Sequence, residues 1–459
     1  MTTSPSSAYR EIEGAAGRVY RVGEEPEDLM GRSRSYMIWL PWAAMMAAGV
    51  FEYAYGSAAK TLQATYGWDN TQTFTLVGVW GFFQAGVALP AGRLRERGVF
   101  PARAAMLTGS VLCLLAFLVI GNTGNIVAVV AGYSVLGGVG AGLVYASCIN
   151  IVAKWFPERK GWLTGFVNGG FAYGSIPFIV IFNYWFTPAN HSLVLDLTGV
   201  YMLVLMAACG WFFADPPRNW WPASVDPLHW AQDEKAKRNL ARNPPGPRQY
   251  TPAEAVRTPQ LWVMWLALTL TAGVSFFGIN YEVKFAKASH FGLYVGVVSA
   301  ILLALVSGTG RAWVGWISDR LGRRLTLLVD CVILGGAMFG VGWSGSAHNQ
   351  TWFFVFAVLA GFGGGAFYPL FAALTPDYFG ENYNASIYGN VYSGKLVGAV
   401  LAGPVGAAII DGQGYPATYV LAGSLSLLAG VLIVFLRRPV AAAQAAALQG
   451  AAASPPAAS

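Results

Sequence analysis

An all-α membrane protein of twelve transmembrane helices in two pseudo-symmetric six-helix halves is the fold class this sequence predicts, and three observations predict it. Of the 459 residues, 55% are hydrophobic and only 11% charged, where a soluble domain carries about 25% charged residues. Apolar stretches of about 20 residues, the length a helix needs to cross a bilayer, occur twelve times. Three short motifs recur at one fixed offset along the chain.

Residues 1–35 are polar and include Glu24, Glu25, Glu27 and Asp28. They read as a cytoplasmic N-terminal tail, because a cleaved signal would run basic and then apolar. Residues 36–213 form the N-terminal half, with spans near Tyr36 to Ala58, Thr71 to Ala91, Arg103 to Gly121, Asn125 to Ala153, Gly161 to Phe186 and Ser192 to Phe213. Residues 214–260 are too polar to span and read as a cytoplasmic central loop. Near its end Thr251, Pro252 and Glu254 have the spacing of a capped, short surface helix: hydroxyl at the N-cap, proline at the first position, carboxylate at the third. Residues 261–438 form the C-terminal half, with spans near Leu261 to Val283, Tyr294 to Ile317, Leu325 to Gly345, Thr351 to Thr375, Ala385 to Ile410 and Tyr415 to Leu436. Residues 439–459, rich in alanine with Pro455 and Pro456, read as a disordered tail.

The net charge of +7 does not point to nucleic acid, because its distribution is topological. Arg93, Arg95, Arg97, Lys160, Arg323 and Arg438, among others, fall in alternate loops, while the opposite loops carry little beyond Lys60, Lys284 and Lys287. The positive-inside rule then puts both termini in the cytoplasm of a multi-pass protein of the cell membrane. The four cysteines lie in apolar spans and the four histidines stand singly, so neither a disulfide framework nor a metal site is suggested. No nucleophile–base constellation and no cofactor motif appears, so an enzyme is not expected. The expected surroundings are the lipid bilayer, and the expected state is a monomer.

The repeat sets the frame. GRLRER (Gly92 to Arg97) and GWISDR (Gly315 to Arg320) are 223 residues apart, and the same offset relates GGVGAGLVY to AGFGGGAFY and WFPE to YFGE. Three matches at one offset describe two homologous halves, a parallel repeat of the kind secondary transporters use, with substrate held near the midplane between the halves. The glycine runs, Gly137 to Gly142 and Gly361 to Gly365, read as packing surfaces on which helix backbones approach closely. The acid–arginine turns Glu96/Arg97 and Asp319/Arg320 are orientation signals that also suit a charge latch, formed in one state and broken in another.

Within this frame two cations stand out. Arg311 lies eight residues before Asp319, about 12 Å deep on a helix, and Lys395 lies eleven residues past Asn384, about 16 Å deep. Tyr145 and Tyr368 are each eleven residues before the phenylalanine of the WF or YF pair that follows, Phe156 and Phe379, and reach the same level. At the repeat offset Arg311 corresponds to Ala88 and Lys395 to Ala172, so the frame itself does not require these charges. Ionisable residues at such depth are costly and mark function. With no acid beside either in sequence, an anion is the expected counter-charge, and an arginine fork with a lysine point charge suits a small dicarboxylate. Glu52 in span one is read two ways, as a carboxylate near the outer mouth or as a coupling site.

The paired acid–arginine turns resemble those of the major facilitator superfamily over nearly the whole chain outside the tails. GTGRAWVGWISDRLGRR, YGNVYSGKLVGA, WFPERKG and YTPAEAVRTPQLW are similar to segments of the oxalate/formate antiporter family. That resemblance implies that Arg311 and Lys395 bind a dicarboxylate inside an aromatic cage to which Tyr145, Tyr368 and Tyr173 belong. Glu52 departs from it, since the family commonly has an uncharged polar residue there; the acid either serves proton coupling or offsets one cation so that a monoanion is preferred. The expectation is a carrier of small carboxylates working by alternating access, with oxalate/formate-type exchange first, proton-coupled monocarboxylate transport second, and a non-transporting receptor of the same fold as the reading from another class.

Overall fold

The computed structural model describes residues 9–13, 19–227, 242–244, 246 and 248–439. All but the first residue of the disordered tail expected over 439–459, and part of the central loop, therefore lie outside the described residues. Among those described, ten helices are long and apolar enough to cross a membrane. One of the ten, Ser386–Phe435, is two crossings, because Gly414 turns the chain at φ +79°. The first crossing falls outside the ten because it is interrupted twice, at Gly49 and Ala54. The total is the expected twelve.

In chain order, α1 runs through Tyr36–Ala48, Val50–Tyr53 and Tyr55–Tyr66. Then follow α2 (Asn70–Gly86 and Ala88–Glu96), α3 (Ala102–Asn122), α4 (Ile126–Trp155), α5 (Lys160–Tyr173 and Ile176–Tyr184) and α6 (His191–Trp211). The second half has α7 (Pro259–Ala288), α8 (Leu293–Leu321), α9 (Arg323–Ser346) and α10 (Gln350–Phe379). It ends with α11 (384–413) and α12 (415–435), separated by the Gly414 turn.

Helix starts follow local chemistry. Asp69 and Gln72 form a reciprocal capping box at the head of α2, and the Thr251–Glu254 box expected from the sequence begins the short helix Pro252–Val256. Thr258 then caps α7, with Pro259 in its first turn. The interruptions are at least as informative. Gly49 of α1 faces the carbonyl of Phe171, and Gly174 of α5 faces that of Met46; an added Cβ would lie 1.6 and 1.9 Å from those oxygens. The two helices cross at their breaks. A broken helix in lipid is tolerated where other protein groups take up its freed backbone polarity, and these breaks fall at the depth of the central charges.

The N-terminal segment differs from the expected polar tail. Strands β1 (Arg10–Glu13) and β2 (Val19–Val22) pair antiparallel, and Tyr20 meets Trp221 edge to face at 5.1 Å. Arg21 exchanges backbone hydrogen bonds with Asn219 and Trp221. The alternation of Tyr20 and Val22 with polar neighbours gives this short ribbon one buried face, and the chain after α6 covers it.

The halves meet along α5 with α8, α2 with α11 and α1 with α7. At one end the meeting is tight. Tyr281 of α7 stacks on Phe74 of α2 at 4.1 Å, its hydroxyl donates to the Gly403 carbonyl, and Lys284 reaches Asn70 at 2.8 Å. At the other end, which carries the basic turns, a cavity of about 1400 Å³ opens between the halves and reaches in as far as Tyr145 and Tyr392. The glycine runs of α4 and α10 pack as expected: Gly138 and Gly142 lie against the backbone of α2, and Gly361 and Gly365 against that of α8.

Candidate functional site

Arg311 and Lys395 lie at the centre of the interface, each 2% exposed. Burial at this depth obliges each to find partners. The Arg311 guanidinium takes neutral ones from the opposite half. Its Nη1 donates to both the carbonyl and the side-chain oxygen of Asn168 at 2.7 Å, and its Nη2 donates to the Tyr53 hydroxyl at 2.8 Å. Tyr53 in turn shares a 2.8 Å hydrogen bond with Ser307 of α8.

Lys395 has a charged partner. Its Nζ lies 2.6 Å from Oε2 of Glu52, so of the two readings of Glu52, the place at the outer mouth is overturned. Glu52 sits at the centre, 2% exposed, because the interruptions of α1 around Gly49 and Ala54 bring its side chain to the interface. An anion was the expected counter-charge of both cations; for Lys395 the protein's own Glu52 fills that place in this conformation. Three charges share the centre, two positive and one negative.

Aromatic rings wall this cluster. The Lys395 ammonium lies 5.4 Å from the Tyr368 ring, 5.8 Å from Phe276 and 5.9 Å from Trp80, and the Arg311 guanidinium carbon lies 5.7 Å from Tyr368. Tyr368 thus faces both cations at cation–π range. Tyr145 reaches Arg311 through Asn168, whose amide donates to the Tyr145 hydroxyl at 3.1 Å, and its ring stacks on Tyr392 with centroids 5.5 Å apart. That stack, one ring from each half, stands between the cavity and the charges. Two buried donors, Arg311 Nε and the Tyr368 hydroxyl, have no acceptor among the described residues.

Tyr173 lies elsewhere. It is half-buried, and its hydroxyl donates to Thr309 at 3.1 Å on the Trp42 side of α8. Around the acid–arginine turns, Arg97 is exposed and the side chain of Glu96 lies outside those described. Asp319 pairs with Arg323 at 3.6 Å and stands near Gly161 at the start of α5, where the helix N-terminus favours a negative charge. Arg320 lies over the Trp316 ring at 3.5 Å. A charge contact between the halves is made nearby by Lys160 and Glu381 at 2.8 Å.

Tyr53, Asn168 and Tyr392 join the site without having been singled out in the sequence. Tyr392 carries a readable signal, one helical turn before Lys395, and Tyr53 is adjacent to Glu52. Asn168 carries none beyond its polarity within an apolar span.

A twelve-helix bundle of two related halves, closed at one end and open at the other around central charges, is the architecture of a secondary transporter. The chain belongs to the Major Facilitator Superfamily, whose sequence profile matches residues 42–392 and 332–458; it is a multi-pass membrane transporter and not an enzyme. It is 24% identical over 420 residues to an oxalate:formate antiporter of Oxalobacter formigenes, covering 89% of this chain and 92% of that protein. It is also 24% identical over 316 residues to the uncharacterized MFS-type transporter YhjX of Escherichia coli, covering 68% and 73% of the two chains. A shorter match, 28% over 92 residues, relates 20% of this chain to 17% of apicoplast pyruvate carrier 1 of Toxoplasma gondii.

Proposed function

We propose that this transporter carries small carboxylates by alternating access, in the first place as an exchanger of the oxalate/formate type. The observation that carries the reading is Arg311: among the described residues its guanidinium is held by neutral groups, with its Nε and the nearby Tyr368 hydroxyl both left without acceptors. A carboxylate supplies the missing charge and the missing acceptors together. Lys395 takes a second carboxylate group, Tyr145 and Tyr368 wall the site, and Glu96/Arg97 and Asp319/Arg320 serve as gating turns. The similarity over most of its length to a named oxalate:formate antiporter agrees with this substrate class. The basic end faces the cytoplasm of a cell-membrane protein by the positive-inside rule, so the cavity is the inward-facing vestibule.

The Glu52–Lys395 pair favours a second reading, proton-coupled monocarboxylate transport, because it leaves one net positive charge for one carboxylate. Both readings are tested in proteoliposomes loaded with formate, following labelled oxalate and, in parallel, labelled formate with and without an imposed pH gradient. Arg311→Gln and Lys395→Gln are each expected to lower oxalate uptake by about two orders of magnitude, as removal of one member of a buried charged contact does. Uptake unchanged in both variants rejects the site. Formate uptake that needs the pH gradient and no internal carboxylate selects the second reading.

A further inference from the structure

Two buried cations without counter-charge would keep an empty carrier from closing, because closure strips water from both at once. One end of the bundle is closed, where Tyr281, Phe74 and Lys284 seal α7 against α2. Glu52 is on α1, in one half, and Lys395 on α11, in the other, and their 2.6 Å contact is buried on both sides. Arg311 also crosses between the halves, to Asn168 and Tyr53. The charge of Lys395 is thus met by the protein's own group, while among the described residues that of Arg311 is not, and the group that meets Lys395 is chemically what the proposed cargo offers: a carboxylate.

We infer that Glu52 is a built-in stand-in for a substrate carboxylate, which holds Lys395 in the empty protein and lets the carrier close and reorient without cargo. The flux part of this inference rests on the carboxylate reading above; the closure part does not. A cargo carboxylate competes with Glu52 for Lys395, and Glu52 returns when the cargo leaves. The carrier then catalyses net movement down a gradient as well as exchange. Without Glu52, only cargo neutralises Lys395, and the cycle is restricted to exchange.

The closure part is tested without substrate. Spin labels on Ala64→Cys and Ala288→Cys, exposed positions at the sealed ends of α1 and α7, are expected to give one short distance in the ligand-free protein. In the Glu52→Gln background a second, longer population is expected, and Glu52→Asp is expected to restore the short one. A distance distribution unchanged by Glu52→Gln overturns the inference. The flux part compares uptake of labelled oxalate or formate into empty and into preloaded vesicles. The ratio of the two rates is expected to fall about tenfold or more in Glu52→Gln; an unchanged ratio overturns obligatory use of Glu52 in empty return. Vesicles in which the parent protein moves no carboxylate in either mode reject the substrate class, and the spin-label distances then decide the inference.

Discussion

Tyr53 carries a burden that its residue type does not announce. Its hydroxyl accepts from Arg311 Nη2 and shares a hydrogen bond with Ser307, so Tyr53→Phe leaves a buried guanidinium N–H without an acceptor. A loss of about 1–3 kcal/mol in stability is expected, read as a lower melting temperature in detergent; on the carboxylate proposal, added oxalate raises the melting temperature more in Tyr53→Phe than in the parent, because a bound carboxylate replaces the missing acceptor. Arg311 and Lys395 were legible in the sequence because a charge inside an apolar run is conspicuous. Glu52 was conspicuous for the same reason, but its partner lies 343 positions away, and no local pattern encodes a contact at that range. Tyr53 and Asn168 were not legible, since tyrosine and asparagine occur in spans for many reasons. Tyr173 sits at a plausible depth but on the Thr309 side of α8, because depth along a helix is readable from spacing while azimuth is not when the helix is broken just beyond, at Gly174–Ser175.

At the scale of elements, the α5–α8 contact is the seam on which the halves rest. A Cβ on Gly169 would lie 2.6 Å from the Gly308 carbonyl oxygen, so Gly169→Val forces the helices apart. Overpacking of this kind costs about 1–3 kcal/mol, whereas Gly336→Ala on α9, where nothing lies within 4 Å, is expected to leave the melting temperature unchanged or slightly raised. A second element contact is electrostatic. Asp215, just past α6, lies 2.6 Å from Arg95 of α2 and 3.0 Å from Lys154 of α4, and accepts from the Ala102 backbone at the head of α3. Burial pushes its carboxyl pKa up, but the charges of Arg95 and Lys154 and the bonds to Lys154 and Ala102 outweigh burial and hold it below the ordinary value. A lowered acid stabilises the fold above its unfolded pKa of about 3.9 and ceases to as pH falls through the folded value. Asp215→Asn is therefore expected to lower the melting temperature at every pH from 5 to 8 by a constant amount, with the gap closing only in acid below about pH 4. A gap that varies between pH 5 and 8 contradicts that assignment.

For the whole molecule, the repeat offset made the twelve-helix frame legible before any contact was known, because homologous halves must pack alike. The conformation was not legible, since one sequence serves every state of the cycle. What marks this state is the Lys160–Glu381 pair across the mouth of the cavity, with side chains 25% and 34% exposed. At the repeat-related position of the first half, Glu158 instead pairs with Arg34 of the same half. Exposure limits the cross-half pair to about 0–1 kcal/mol, a strength that restrains the mouth yet breaks readily in each cycle. Lys160→Glu and Glu381→Lys each place like charges across the gap and are expected to widen it, raising the reaction rate of a cysteine introduced at Asn150, on the cavity wall, with a charged maleimide. The double exchange restores opposite charges and is expected to bring the rate back to that of the parent. At about 1 M salt, where charges a few ångströms apart are screened, all four proteins are expected to react alike. A double variant as reactive as the singles at low salt shows that the mouth is held by packing around α5 and α10 and not by this pair.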